Sequence, residues 1–100
     1  MRGTRAHKVD GNQRIIVEAL KRAGCEVFVT SAFGDGYPDI TARRRGSTDL
    51  PRFIEVKAAK GKLTAAESRW CAMLGPLYSI ARTPAEALRQ MGFDVLEKQP

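Results

Sequence analysis

The sequence predicts an α/β fold: a mixed central sheet flanked by helices, in the order α-β-β-β-α-β-α. Apolar residues recur at helical spacing in segments that alternate with short β-branched and aromatic runs, and glycine or proline punctuates the boundaries. A helix-length stretch separates the last two strands, as a parallel pair requires, whereas the two before it are joined closely enough for a hairpin.

The first helix is expected from residue 11 or 12 to residue 23, because Ile16, Ala19, Leu20 and Ala23 recur at helical spacing and Gly24 is a natural stop. Val27, Phe28 and Val29 make a short strand, and residues 31–37, with two glycines, make an irregular connection. Strands follow at 39–43 and 52–57, joined through Gly46, Ser47 and Pro51. Thr64 opens a second helix that Gly75 and Pro76 end, and a strand at 77–81 returns parallel by a right-handed crossover. Thr83, Pro84 and Glu86 supply an N-cap threonine, a proline at the first helical position and an acid at the third, so a third helix runs from there to Gln90 or Met91 and stops at Gly92. Residues 93–96 are expected to add an edge strand.

The chemistry concentrates in Gly36-Tyr37-Pro38-Asp39 and Phe53-Ile54-Glu55-Val56-Lys57. Side chains alternate across a sheet, so Glu55 and Lys57 project from one face and Ile54 and Val56 from the other. Asp39 needs only to sit on the adjacent strand to share a cation with Glu55. An unpaired carboxylate inside a buried strand costs on the order of several kcal/mol, and a cation or Lys57 removes that cost. The plainer readings are a turn aspartate after proline and a Glu55 to Lys57 salt bridge.

Lys and Arg number 17 against 11 Asp and Glu, a formal charge of +6, and the isoelectric point is near 9.8. That balance suits a polyanion, since each cation set against a phosphate releases condensed counterions. Clustering favours nucleic acid over a merely basic protein: Arg2, Arg5 and Lys8 lie in the N-terminal arm, Arg43, Arg44 and Arg45 between the two motif strands, and Lys57, Lys60 and Lys62 directly after Glu55. These clusters are expected to flank the site. Cys25 and Cys71 are too few for a zinc site or disulfide framework, suit a reducing cytosol, and read as core thiols. No apolar run approaches the roughly 20 residues of a membrane span, nor do residues 1–10 carry a signal-peptide core. A chain of 100 residues is expected to hold one small domain, at 10–96, with a mobile basic arm at 1–9 and a polar tail at 97–100.

In this order and spacing the two motifs resemble the PD-(D/E)XK nuclease superfamily. The helix ending in Ala23-Gly24, the Gly-x-Pro-Asp turn, Ile54-Glu55-Val56-Lys57, and Leu63-Thr64-x-x-Glu67 before a helix are similar to the VRR-NUC group and its phage-encoded relatives. The resemblance implies a restriction-endonuclease-like core, related to Holliday-junction-resolvase-like folds, and a metal-dependent endonuclease that hydrolyses DNA. Branched or junction DNA is a candidate substrate. A homodimer, encoded by a phage or prophage and working in the bacterial cytoplasm without a small-molecule cofactor, is expected. Asp39, Glu55 and the backbone carbonyl of Val56 would be hard oxygen ligands for Mg²⁺ or Mn²⁺, Lys57 would align the attacking water, and Arg43, Arg44, Arg45, Lys60 and Lys62 would contact nucleic acid. The alternative is a catalytically silent nuclease-like fold that binds nucleic acid or a protein.

Two acids stand apart. Glu67 makes a capping box with Thr64, yet it shares a helical face with Leu63, Trp70 and Leu74, which should pack inward, and related families usually carry glutamine here. It is read as both cap and catalytic candidate. The superfamily often draws a further acid from the first helix. Asp10 is the preferred metal-ligand candidate, although it would also serve as a helix cap. Glu18 competes with it but is spaced to pair with Arg22 one turn on.

Overall fold

The structure is a computed structural model and describes residues 11–95. The basic arm at 1–9, Asp10, the tail at 97–100 and the final residue of the expected edge strand, Leu96, lie outside the described residues.

The described residues form α1 (Gly11–Arg22), β1 (Cys25–Val29), β2 (Ile40–Arg44), β3 (Arg52–Val56), α2 (Ala65–Leu74), β4 (Tyr78–Ala81) and α3 (Pro84–Gln90), with turns of 3-10 helix at Ser31–Phe33 and Gly75–Leu77. The strands keep their chain order in the sheet. β1, β2 and β3 pair antiparallel and β4 joins β3 in parallel, so the hairpin and the parallel return through α2 both stand as expected.

One sheet face carries the hydrophobic core. Cys25, Ile40, Ala42, Ile54, Val56 and Ala81 pack against Ile16, Val17 and Leu20 of α1 and against Ala87 and Met91 at the α3 end. Helix α1 turns Gln13, Ile16, Val17 and Leu20 inward, the i, i+3, i+4, i+7 stripe of a half-buried helix. The expected stripe is therefore corrected: Ala19 is half-buried and Ala23 exposed. Burying Val17 removes more apolar surface from water than burying an alanine, and the helix rotates to take it.

The opposite face is thinly covered. Helix α2 packs over β4 and has no fully buried residue. Leu63, Glu67, Trp70 and Leu74 do share a face, but each is only half-buried. Cys71 on this helix is likewise half-buried, so Cys25 alone is a core thiol.

The expected edge strand does not form over Phe93 to Val95. Gly92 leaves α3 at φ +93°, and the Phe93 N–H then bonds back to the Leu88 carbonyl at 3.0 Å. The Phe93 ring packs on the core and carries the Arg44 guanidinium 4.8 Å from its centroid. Burying that ring wins over extending the sheet. Among the described residues, no helix is long and apolar enough to cross a membrane.

Candidate active site

The pairing register brings the two motifs together. Thr41 pairs with Phe53 and Ile40 with Ile54, so continuing the ladder by one sets Asp39 opposite Glu55 on the face that Thr41 and Phe53 share. The Asp39 carboxylate reaches across: its Oδ2 accepts the Val56 N–H at 2.9 Å. The turn before it is fixed by buried Thr30, whose N–H donates to the Asp39 carbonyl and whose hydroxyl donates to the Pro38 carbonyl, both at 2.8 Å.

Lys57 follows Glu55 on the same side. Its ammonium lies 2.8 Å from Glu67 Oε1 and 3.7 Å from Glu55 Oε2. Glu67 arrives from the first turn of α2, where the expected capping box is complete: Thr64 Oγ1 accepts the Glu67 N–H at 3.2 Å and Glu67 Oε1 accepts the Thr64 N–H at 2.8 Å. Capping and contact with Lys57 therefore share one carboxylate oxygen.

Gly36 sets the height of α2 above the sheet. A Cβ on Gly36 would stand 2.7 Å from the backbone of Ala66 and 2.8 Å from the nitrogen of Glu67, and its φ is +76°. Only glycine permits that approach in that conformation. The Trp70 indole N–H adds a bond to the Asp35 carbonyl at 2.8 Å, tying the loop before Asp39 to the helix that carries Glu67.

These groups perturb one another. Burial, then the charges of Asp39 and Glu67, push the Glu55 carboxyl up to about 9. Burial also raises Asp39, against the opposing pull of the Val56 N–H. Burial works against the charged forms of both Lys57 and Glu67, but their mutual hydrogen bond prevails, so Lys57 is raised and Glu67 is lowered. The site without metal thus contains one firm ion pair, Lys57 with Glu67, and two crowded carboxyls that Lys57, 3.7 Å from Glu55, compensates only in part.

Among the described residues, no group of three or more His, Cys, Asp or Glu side chains forms a ready-made metal site. The donors nonetheless fit a hard divalent ion. Glu55 is 3% exposed, and its buried Oε1 finds no donor unless Glu55 is itself protonated and shares that proton with Asp39 or Glu67. A cation shared with Asp39 would satisfy that oxygen and relieve the crowding, with carbonyl and water oxygens completing the shell.

The remaining candidates separate. Arg43 and Arg44 lie at the far end of β2 and Arg45 just beyond it, about 13 to 20 Å from Asp39 along the strand direction. The arginine run therefore does not flank the acids. Arg43 pairs with Glu26 at 3.1 Å, Arg44 covers Phe93, and Arg45 is exposed. Lys60 and Lys62 do follow Glu55 closely and are exposed. Their loop is clamped by Arg82, whose Nη1 donates to the carbonyls of Ala58 at 2.6 Å and Gly61 at 2.9 Å. Sequence reasoning missed Arg82, and no local pattern marks a contact made across more than twenty positions.

Glu18 is exposed on α1. The start of that helix is the part near the site, where Asn12 Nδ2 donates to the Lys57 carbonyl at 3.2 Å and to that of Arg82 at 3.3 Å. This geometry sets Glu18 aside and leaves Asp10, just before Gly11, outside the described residues. Compared with protein-family models, curated proteins and solved structures, the chain matches no family, no curated protein and no solved fold.

Proposed function

We propose that this chain is a divalent-metal-dependent endonuclease with a restriction-endonuclease-like core, hydrolysing DNA phosphodiester bonds in the manner its resemblance to the VRR-NUC group implies. The observation that carries this reading is the gathering of Asp39, Glu55, Lys57 and Glu67 at one end of one sheet face, with Glu55 buried against two further carboxyls. A structural ion pair has no use for three carboxyls around one ammonium.

Asp39 and Glu55 would hold Mg²⁺ or Mn²⁺, with the Val56 carbonyl as a further oxygen donor. When bound, such an ion neutralises the nonbridging oxygens of the phosphodiester, lowers the pKa of a bound water and steadies the leaving alkoxide. The chain's own contribution is positional. The Val56 N–H fixes the Asp39 carboxylate, and Glu67 holds the Lys57 ammonium beside Glu55. From there Lys57 can orient water and stabilise charge that develops on phosphate. Lys60 and Lys62 would contact neighbouring phosphates.

One observation favours the alternative, a silent binding module. Lys57 is already tied at 2.8 Å to a charged Glu67, where related families carry neutral glutamine. A cleavage panel of linear and branched DNA and of RNA, with Mg²⁺ or Mn²⁺, separates the readings. Metal-dependent nicking that disappears in a folded Glu55→Gln variant supports the nuclease. Binding with no cleavage by either protein supports the silent module.

A further inference from the structure

We infer that Phe33, on the loop that leads into Asp39, is a stacking platform for one unpaired nucleobase beside the cleaved phosphodiester, an inference that rests on the nuclease reading. Four aromatic rings assemble next to the acids. Tyr37 lies 4.8 Å from Trp70, 6.4 Å from Phe53 and 5.0 Å from Phe33, centroid to centroid. Tyr37 stands two residues before Asp39, Phe53 two residues before Glu55 on the same strand face, and Trp70 about one turn beyond Glu67. Tyr37, Phe53 and Trp70 thus each stand within two or three residues of an acid of the site, and Phe33 packs on the outer side of Tyr37. Tyr37, Phe53 and Trp70 are half-buried, whereas Phe33 is 67% exposed.

The platform is held in place. The Phe33 N–H bonds to the Thr30 carbonyl at 3.1 Å and the Tyr37 N–H to that of Gly34 at 3.0 Å. Gly34, Asp35 and Gly36 all adopt positive φ, and the Trp70 indole grips the loop at the Asp35 carbonyl. A single exposed apolar residue is ordinary. A two-thirds-exposed ring packed at a 50° tilt against Tyr37, which is itself edge-on to Trp70 and Phe53, offers aromatic surface with little left to order on binding.

Charge and shape select the occupant. The chain carries +6, with exposed Lys60 and Lys62 in the loop that follows β3, which suits a polyanion better than an apolar protein. Bases in an intact duplex are already stacked on each other and unstacking a step costs about a few kcal/mol, so a single flat ring engages a base at least cost where a strand is unpaired, as in a flap, bulge or branch. The substrate class is thus DNA with unpaired nucleotides at the cut.

The test measures binding separately from cleavage. In EDTA, the full chain and its Phe33→Ala and Phe33→Trp variants are titrated into duplexes with or without a single-stranded flap that carries 2-aminopurine. Wild type should quench the probe in the flap, and Phe33→Ala should lose that quenching and bind the flap roughly 5- to 150-fold more weakly. Binding to the intact duplex should be unchanged, and Phe33→Trp should restore both signals. Unaltered thermal melting of the alanine variant excludes misfolding. Retained quenching in Phe33→Ala, or equal loss on both DNAs, overturns the proposal. So does loss of self-association with quenching intact, which would assign Phe33 to a second copy of the chain. Cleavage by wild type in Mn²⁺ is scored independently, so the nuclease reading can stand when stacking fails.

Discussion

The two faces of this sheet are built to different rules. On one, Ile40, Ala42, Ile54, Val56 and Ala81 are closed off by α1 and α3 in a contiguous apolar cluster. On the other, Phe53, Glu55 and Tyr78 meet a single helix that buries none of its own residues completely. Ile54 and Glu55 are adjacent in the chain and both are buried, yet one is surrounded by aliphatic groups and the other by carboxyls and an ammonium. Cohesion belongs to the first face, and the second spends part of it to hold like charges together.

Paired substitutions on β3 should expose that division most strongly. Ile54→Ala removes a fully buried side chain and should cost about 2–5 kcal/mol, read as a large fall in the denaturation midpoint. Glu55→Gln should fold at least as well as wild type without metal and yet lose cleavage. If Glu55→Gln instead destabilises as much as Ile54→Ala, Glu55 is a structural ion-pair partner and the faces do not differ.

The second comparison concerns how α2 is seated. Gly36→Ala places a methyl group against the Ala66 backbone at a φ of +76° and should cost about 1–3 kcal/mol. Activity should drop further than stability accounts for, because the loop before Asp39 and the helix start at Glu67 are pushed apart. Cleavage by the folded fraction at the wild-type rate would show that α2 merely covers the sheet.

Glu67 should give the smallest effect. Glu67→Ala loses the cap and should cost about 0.5–2 kcal/mol, while Glu67→Gln retains an oxygen for the Thr64 N–H and keeps most of the stability. If cleavage by the folded alanine variant falls at least about tenfold, a barrier change of roughly 1.4 kcal/mol, Glu67 acts on Lys57 and is more than a cap. Wild-type cleavage after correction for the folded fraction would remove it from the site.

How far these features were legible follows from their range along the chain. Helix starts at Thr64 and Thr83 and turns at Gly24, Gly75 and Gly92 carry local chemistry, and the elements fall close to where that chemistry puts them. The facing of Asp39 and Glu55 was legible because strand alternation and a hairpin fix it once two strands are recognised. Contacts between distant segments were not. The Gly36 approach to Ala66, the clamp from Arg82 and the Phe93 ring beneath Arg44 depend on tertiary packing that leaves no periodic trace. The arginine run does not neighbour the acids, because β2 carries its two ends apart and closeness in sequence along a strand is not closeness in space.

The claim that the second face is a cation site is tested most directly by thermal melts of wild type and Glu55→Gln across pH, with and without Mn²⁺. Burial and neighbouring acids raise Glu55 from 4.5 to about 9 in the folded protein without metal. The stability linked to its protonated form is therefore fully present below about pH 4.5 and is lost as pH rises through 9. Asp39, also raised, adds a contribution of the same sign. Wild type in EDTA should lose stability across that interval, and Glu55→Gln should lose clearly less. At pH 8, Mn²⁺ should raise the wild-type melting temperature in proportion to its binding and leave Glu55→Gln unmoved. A shift of equal size in both proteins, or no shift in wild type, would contradict a cation held by Asp39 and Glu55.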